Sequence, residues 1–137
     1  MKTILVLCTG NSCRSQMAEG YLRHFANGKA KVFSAGIETH GVNKMAIEVM
    51  NLDGIDISSH TSNNIDEYRD IQIDFVITVC DHAKENCPYF PSLAVQFHRN
   101  FSDPSKLDGS RNEKLSAFIK TRDEIKSYAE DFIQDKF

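Results

Sequence analysis

Positions 3–7, Thr-Ile-Leu-Val-Leu, form an unbroken apolar run rich in β-branched side chains. A half-exposed strand alternates apolar with polar residues, so a continuous run predicts a strand covered on both faces, the situation that parallel sheets create. Beyond it Met17, Ala18, Tyr21, Leu22 and Phe25 recur at helical spacing, up to the helix-ending pair Asn27-Gly28. The alternation then repeats. Positions 31–36 read as a second strand entering a glycine turn, and Ala46, Ile47, Val49 and Met50 mark a second helix ending near Gly54. Positions 73–79 are the strongest later strand and 93–97 a weaker fourth. From Asn112 onward, Leu115, Phe118, Ile119, Ile125, Phe132 and Ile133 line one face of a long amphipathic helix expected to cover the sheet. Together these predict an α/β fold: a single-domain three-layer sandwich over residues 1–137, with a central four-stranded parallel sheet flanked by helices. The polar, turn-rich stretches 58–70 and 98–114 are expected to be loops bordering a site at the carboxyl ends of the strands.

A chain of 137 residues that is 41% hydrophobic suffices for one core. Its 16 basic and 19 acidic side chains leave a net charge of -3, so no basic surface points to nucleic acid and any anion must be held locally. The uncharged stretch from Ile4 to Cys8 is too short for a signal-peptide core or a membrane span, and the expected location is the cytoplasm. In that reducing compartment four cysteines do not make a structural disulfide framework, which leaves metal binding or thiol chemistry. The histidines, His24, His40, His60, His82 and His98, are dispersed without metal-ligand spacing and read as polar surface or hydrogen-bonded residues.

Cys8 ends the first strand and stands six positions before Arg14, at the mouth of the first helix. The bare Cys-x5-Arg spacing is weak, with about 0.2 matches expected by chance. Its context is stronger, because a strand-to-helix loop turns successive backbone N–H groups and the helix dipole onto one point, a cradle for a tetrahedral oxyanion. Thr9, Gly10, Asn11, Ser12, Cys13, Arg14 and Ser15 would bind the anion. Cys8 would be the nucleophile: lowering a thiol pKa from ~8.5 to ~6 raises its thiolate share at neutral pH from about 3% to about 90%. Arg14 offers a planar fork to two oxygens, Gly10 a positive-φ turn, Asn11 an amide to brace it, and Ser15 a hydroxyl for the thiolate. The competing reading is a buried strand-end thiol beside a helix-surface cation. Asp103, stiffened by Pro104, is a candidate acid for a leaving oxygen, although Asp-Pro is also an ordinary turn.

Cys80 closes the third strand and Cys87 follows after six intervening residues. A two-electron reductase needs such a pair to finish as a disulfide, and closing it requires Cα atoms within ~7 Å, hence local unwinding of a helical segment. Inert buried thiols, or zinc ligands with His82, are the alternatives; Cys-x-His-x4-Cys matches no common zinc spacing and lacks a fourth ligand.

The stretch CTGNSCRSQMAEG resembles the active-site loop of the low-molecular-weight protein tyrosine phosphatase family, and SAGIETHGVN its second strand and following loop. The similarity spans essentially the whole chain. Gln16 stands where the phosphatases usually carry proline, a departure shared with the arsenate reductase branch, and VCDHAKENCP resembles the redox segment of its thioredoxin-coupled members. The resemblance implies that Cys8 attacks arsenate with Asp103 assisting the leaving hydroxyl. Cys80 then attacks Cys8, giving a Cys8–Cys80 disulfide and arsenite, and Cys87 resolves it to Cys80–Cys87 for thioredoxin to reduce. Cys13 stays outside this relay, and a monomer without nucleic-acid or membrane partners is expected. Some relatives bind potassium near the loop; Asn11, Glu19 and Ser34 match that site, but Asn63 replaces an expected carboxylate, which should weaken it. The alternatives are a phosphatase working through a Cys8 phosphocysteine and a non-catalytic oxyanion or redox-sensing module. Against the phosphatase, Pro104-Ser105 stands where a tyrosine-bearing continuation is expected.

Overall fold

The computed structural model of the chain describes residues 1–81, 83 and 94–137. His82, Cys87 and the start of the expected fourth strand at Leu93 lie outside the described residues. Strand β1 (Lys2–Cys8) is central and pairs in parallel with β2 (Ala30–Gly36) along its whole length, from Lys2 opposite Ala30 to Cys8 opposite Gly36. On its other side lies β3 (Phe75–Thr78), followed by β4 (Val95–His98) in the order β2-β1-β3-β4. Ile4, Leu5, Val6 and Leu7 have no exposure, which is why β1 tolerates no polar alternation.

The ladder of β3 is shorter than the expected 73–79. Ile73 and Val79 are buried, but the Asp74 carboxylate takes the Thr3 N–H at 2.8 Å and so closes the ladder at its start. At the edge, β4 leaves Val95 half-exposed, which is why its apolar pattern is weak.

Helix α1 (Arg14–Ala26) ends on Asn27, whose left-handed φ of 46° lets its N–H reach the Arg23 carbonyl. Its start has no side-chain cap and no acidic residue in the first turn, leaving N-terminal amides uncommitted beside the Cys8 loop. Helix α2 (Lys44–Leu52) is capped by the Asn43 side chain, and α3 (Arg111–Lys136) by a Ser110–Glu113 capping box. The expected loops each contain a short 3-10 turn, Ile65–Tyr68 and Pro104–Lys106, capped by Asn64 and Asp103.

Helical segments pack on both faces. Phe132 of α3 meets Phe75 and Phe97 edge-on at 5.7 and 5.2 Å, and Tyr68 covers Phe33 on the opposite face at 5.3 Å. No helix among the described residues is long and apolar enough to cross a membrane.

Gly36 ends β2 where the next segment folds back over the Cys8 loop. A Cβ there would lie 2.7 Å from the Asn11 nitrogen and 2.8 Å from the Thr9 carbonyl, and would also meet the Glu38 carbonyl. All three are backbone atoms. Gly36→Ala should therefore cost about 2 kcal/mol or more in denaturant unfolding; a loss within experimental error would show that this close approach does not constrain the fold.

Candidate active site

The loop between β1 and α1 is held from outside. Backbone N–H groups of Ile37, Glu38, His40 and Asn43 donate to the carbonyls of Cys8, Thr9, Gly10 and Ser12 at 3.3, 2.9, 3.0 and 2.9 Å. In a trans peptide the N–H opposes the C=O, so turning these carbonyls outward turns the amides of Thr9, Gly10, Asn11 and Cys13 the other way. Thr9, Gly10, Ser12 and Cys13 border a cavity of about 160 Å³ whose wall also includes Cys8, Arg14, His40, Asp103, Ser105 and Lys106. The loop, the arginine and the acid predicted from sequence thus meet at one place.

The division of labour inside the loop differs from expectation. The left-handed residue is Asn11, with φ of 47°, and Gly10 is absent from the positive-φ residues. Gly10 is needed for space, since a Cβ there would sit 2.5 Å from His40 Nδ1. Buried Asn11 donates through Nδ2 to Ser15 Oγ and Ser34 Oγ, both at 2.9 Å, and its Oδ1 accepts from the Asn63 N–H at 2.7 Å. Ser15 Oγ thus accepts from Asn11. Gln16, also buried, donates to the Asn11 and Thr61 carbonyls and pairs its oxygen with His60 Nδ1 at 3.0 Å, a brace that proline could not supply.

Arg14 NH1 donates to the Phe101 carbonyl at 2.9 Å and NH2 faces Asp103 Oδ2 at 3.4 Å. Its Nε is buried with no partner among the described residues. A buried charged donor left unpaired costs at least about 1–3 kcal/mol, so an oxyanion oxygen placed here recovers that energy. Asp103 is oriented by Ser105, whose N–H and hydroxyl both donate to Oδ1 at 3.0 and 2.6 Å.

Cys8 lines the cavity and Cys80 lies beside it, and both are buried. The Thr9 hydroxyl is 3.3 Å from Cys80 Sγ, and the Ala83 N–H donates to it at 3.4 Å. The hydrogen bond from Cys8, those from Thr9 and Ala83, and the charge of Arg14 draw Cys80 down to about 5 despite its burial. The same bond to Cys80, followed by burial, pushes Cys8 up against the pull of Arg14. The two thiols are therefore coupled, one drawn down and the other pushed up, and share a single proton between them. The amide cradle acts on a sulfur already engaged by a second one. Burial, then the Asp103 carboxylate, pushes Cys13 up. The Thr9 side chain escaped sequence reading, although a hydroxyl next to the candidate nucleophile was the available signal. His40 escaped it as well, because isolated histidines look alike in sequence.

The four potassium candidates gather, but as a closed hydrogen-bond set. Ser34 Oγ donates to Glu19 Oε1 at 2.6 Å, and Glu19 Oε2 meets Arg23 at 2.9 Å and His60 at 3.4 Å. The Asn63 amide turns to Glu67. Burial holds His60 below its ordinary range, so the charge facing Glu19 is that of Arg23. With Asn11 presenting its NH2 and Glu19 already paired, the residues do not fit a cation. Among the described residues no group of three or more His, Cys, Asp or Glu could hold a metal.

A family model for low molecular weight phosphotyrosine protein phosphatases matches residues 3–136. The chain belongs to this family. Among its relatives, the arsenate reductase of Halalkalibacterium halodurans is 47% identical over 133 residues, 94% of this chain and 96% of the relative. The arsenate reductase of Bacillus subtilis is 44% identical, with 97% and 96% covered. A solved arsenate reductase in the oxidised state superposes with a TM-score of 0.85 at 31% identity over 98% of both chains. A phosphatase from T. tengcongensis shares the fold, with a TM-score of 0.82 at 24% identity over 98% of this chain and 99% of its own.

The shared proton has a measurable signature. With Cys13 and Cys87 replaced by serine, ultraviolet thiolate absorbance should show one sulfur ionising near pH 5 and reacting with iodoacetamide above, but not below, that value. Thr9→Val should move the rise to higher pH, because a hydrogen bond to the charged sulfur is lost. A first ionisation only at ~8.5 would contradict the shared-proton arrangement.

Proposed function

We propose that the protein is an arsenate reductase that works as a cytoplasmic monomer and is recycled by thioredoxin. The observation that carries this reading is Cys80 Sγ held by the Thr9 hydroxyl beside Cys8, the sulfur that lines the oxyanion pocket. Phosphoester hydrolysis has no use for a second sulfur at that position, whereas a two-electron reduction requires one.

In this mechanism arsenate enters the amide cradle and takes the free Nε–H of Arg14. The proton shared by the two thiols settles on Cys80 as Cys8 sulfur bonds to arsenic, and Asp103 relays a proton from one arsenate hydroxyl to the departing one, which leaves as water. Cys80 returns its proton to an arsenate oxygen and attacks the Cys8 sulfur. The S–S bond forms, the S–As bond breaks, and its electron pair stays on arsenic, reducing As(V) to As(III) in arsenite. The Cys87 thiolate then attacks Cys80, freeing Cys8 and leaving a Cys80–Cys87 disulfide whose two electrons thioredoxin restores. The position of Cys87 in this last step rests on the sequence resemblance. No step passes through potassium, since Arg23 already balances Glu19.

A second reading, phosphomonoester hydrolysis, draws on the same Cys8, Arg14 and Asp103, and we propose it as a slow side activity. The two are separated by arsenate-dependent NADPH consumption with thioredoxin and thioredoxin reductase. Cys80→Ser and Cys87→Ser should each lose turnover while hydrolysis of an aryl phosphate persists at a low rate, and Cys8→Ser should lose both activities. Wild-type reduction by either single variant would remove that cysteine from the relay.

A further inference from the structure

We propose that Lys106 and His40 form a selective mouth for the pocket, in which Lys106 draws in small free oxyanions and the His40 ring bars phosphate esters of bulky groups. This refines the arsenate reductase reading and rests on it for the physiological substrate.

Three observations support the mouth. The cavity, about 160 Å³, is well below the roughly 300–1,000 Å³ of sites that bury an organic ligand. Among the described residues its lining includes no aromatic hydrocarbon ring, so nothing there stacks on the leaving group of an aryl ester. Among the described residues of the lining, the ring present is that of His40, at the exposed rim. Its backbone N–H donates to the Gly10 carbonyl at 3.0 Å, which anchors the residue to the loop, its Nε2 meets Glu38 at 2.7 Å, and its Nδ1 edge lies against Gly10. Standing against the loop backbone, the ring narrows the entrance.

Lys106 provides the charge. It closes the 3-10 turn that Asp103 caps, so the turn that orients the acid also places the lysine. Its side chain is exposed and makes no ion pair with a carboxylate among the described residues, whereas Arg14 faces Asp103 and His40 faces Glu38. On a chain of net charge -3, an unpaired cation beside a narrow pocket raises the local concentration of dianions. A free oxyanion feels this charge at short range; an ester must first place its organic group against the His40 ring.

The test uses the reduced full-length protein, with calorimetry of inorganic phosphate binding and steady-state kinetics on arsenate and p-nitrophenyl phosphate. Lys106→Gln should weaken phosphate binding and raise the arsenate KM by about three- to tenfold, with a smaller effect on kcat and a shallower salt dependence than wild type. His40→Ala should shift relative affinity towards p-nitrophenyl phosphate over inorganic phosphate by about fivefold or more. Wild-type phosphate affinity and salt dependence in Lys106→Gln, or an unshifted ratio in a folded His40→Ala, would overturn the selective mouth. Phosphate binding needs no redox step, so these results stand apart from the reductase reading, which fails if the wild type does not reduce arsenate.

Discussion

The left-handed turn at Asn11 is the constraint on which the site depends. A non-glycine residue at positive φ is disfavoured, and asparagine tolerates it because its short amide can bond locally. Here the amide does more than tolerate the turn. It satisfies two buried hydroxyls and one backbone N–H, so reversing the turn would leave several buried polar groups unpaired at once. With the turn locked, the carbonyls of Cys8, Thr9, Gly10 and Ser12 meet the 37–43 segment and the amides are free to face an anion. Gln16 ties the Asn11 carbonyl to Thr61, and Gly36 allows the backbones to approach. The cradle is therefore formed before any ligand arrives, and binding does not have to order the loop.

A second sulfur stands beside the first. Thr9 and Ala83 hydrogen-bond Cys80 Sγ, and the charge of Arg14 pulls both thiols down against their burial. Cys8 ends β1 and Cys80 lies just past the end of β3, the strand paired beside it, so sheet register rather than local spacing brings the two together.

The parallel sheet and its central strand were legible because burial on both faces writes a continuous apolar run at 3–7, and Cys8-x5-Arg14 was legible because its chemistry depends on chain-local spacing. What required coordinates was contact between distant segments. Thr3 and Asp74 are far apart in sequence, so the later start of the β3 ladder could not be read from 73–79. The positive φ falls on Asn11, which also keeps its bracing amide, while Gly10 is demanded by the ring of a distant residue, His40. The coupling of Cys8 to Cys80 lay out of reach for a similar reason: helix dipoles and loop amides can be read locally, but a thiol 72 positions away cannot be placed beside them by spacing.

The Glu19 cluster shows how a buried charge can support such a loop. With Asn63 neutral, Glu19 is the acidic group packed against Asn11 and Ser34, and it must be balanced because it is buried. Arg23 lies four residues after Glu19 on α1, so their side chains share a helix face, and NH2 reaches Oε2 at 2.9 Å. Arg23 NH2 also donates to the Val32 carbonyl at 2.6 Å, tying the balancing charge to β2. A monovalent ion would have to displace a guanidinium that the chain supplies at high effective concentration and holds with a second hydrogen bond. Glu19 can thus fix Ser34, Ser34 can receive the Asn11 amide, and the left-handed turn is supported by a covalently attached cation.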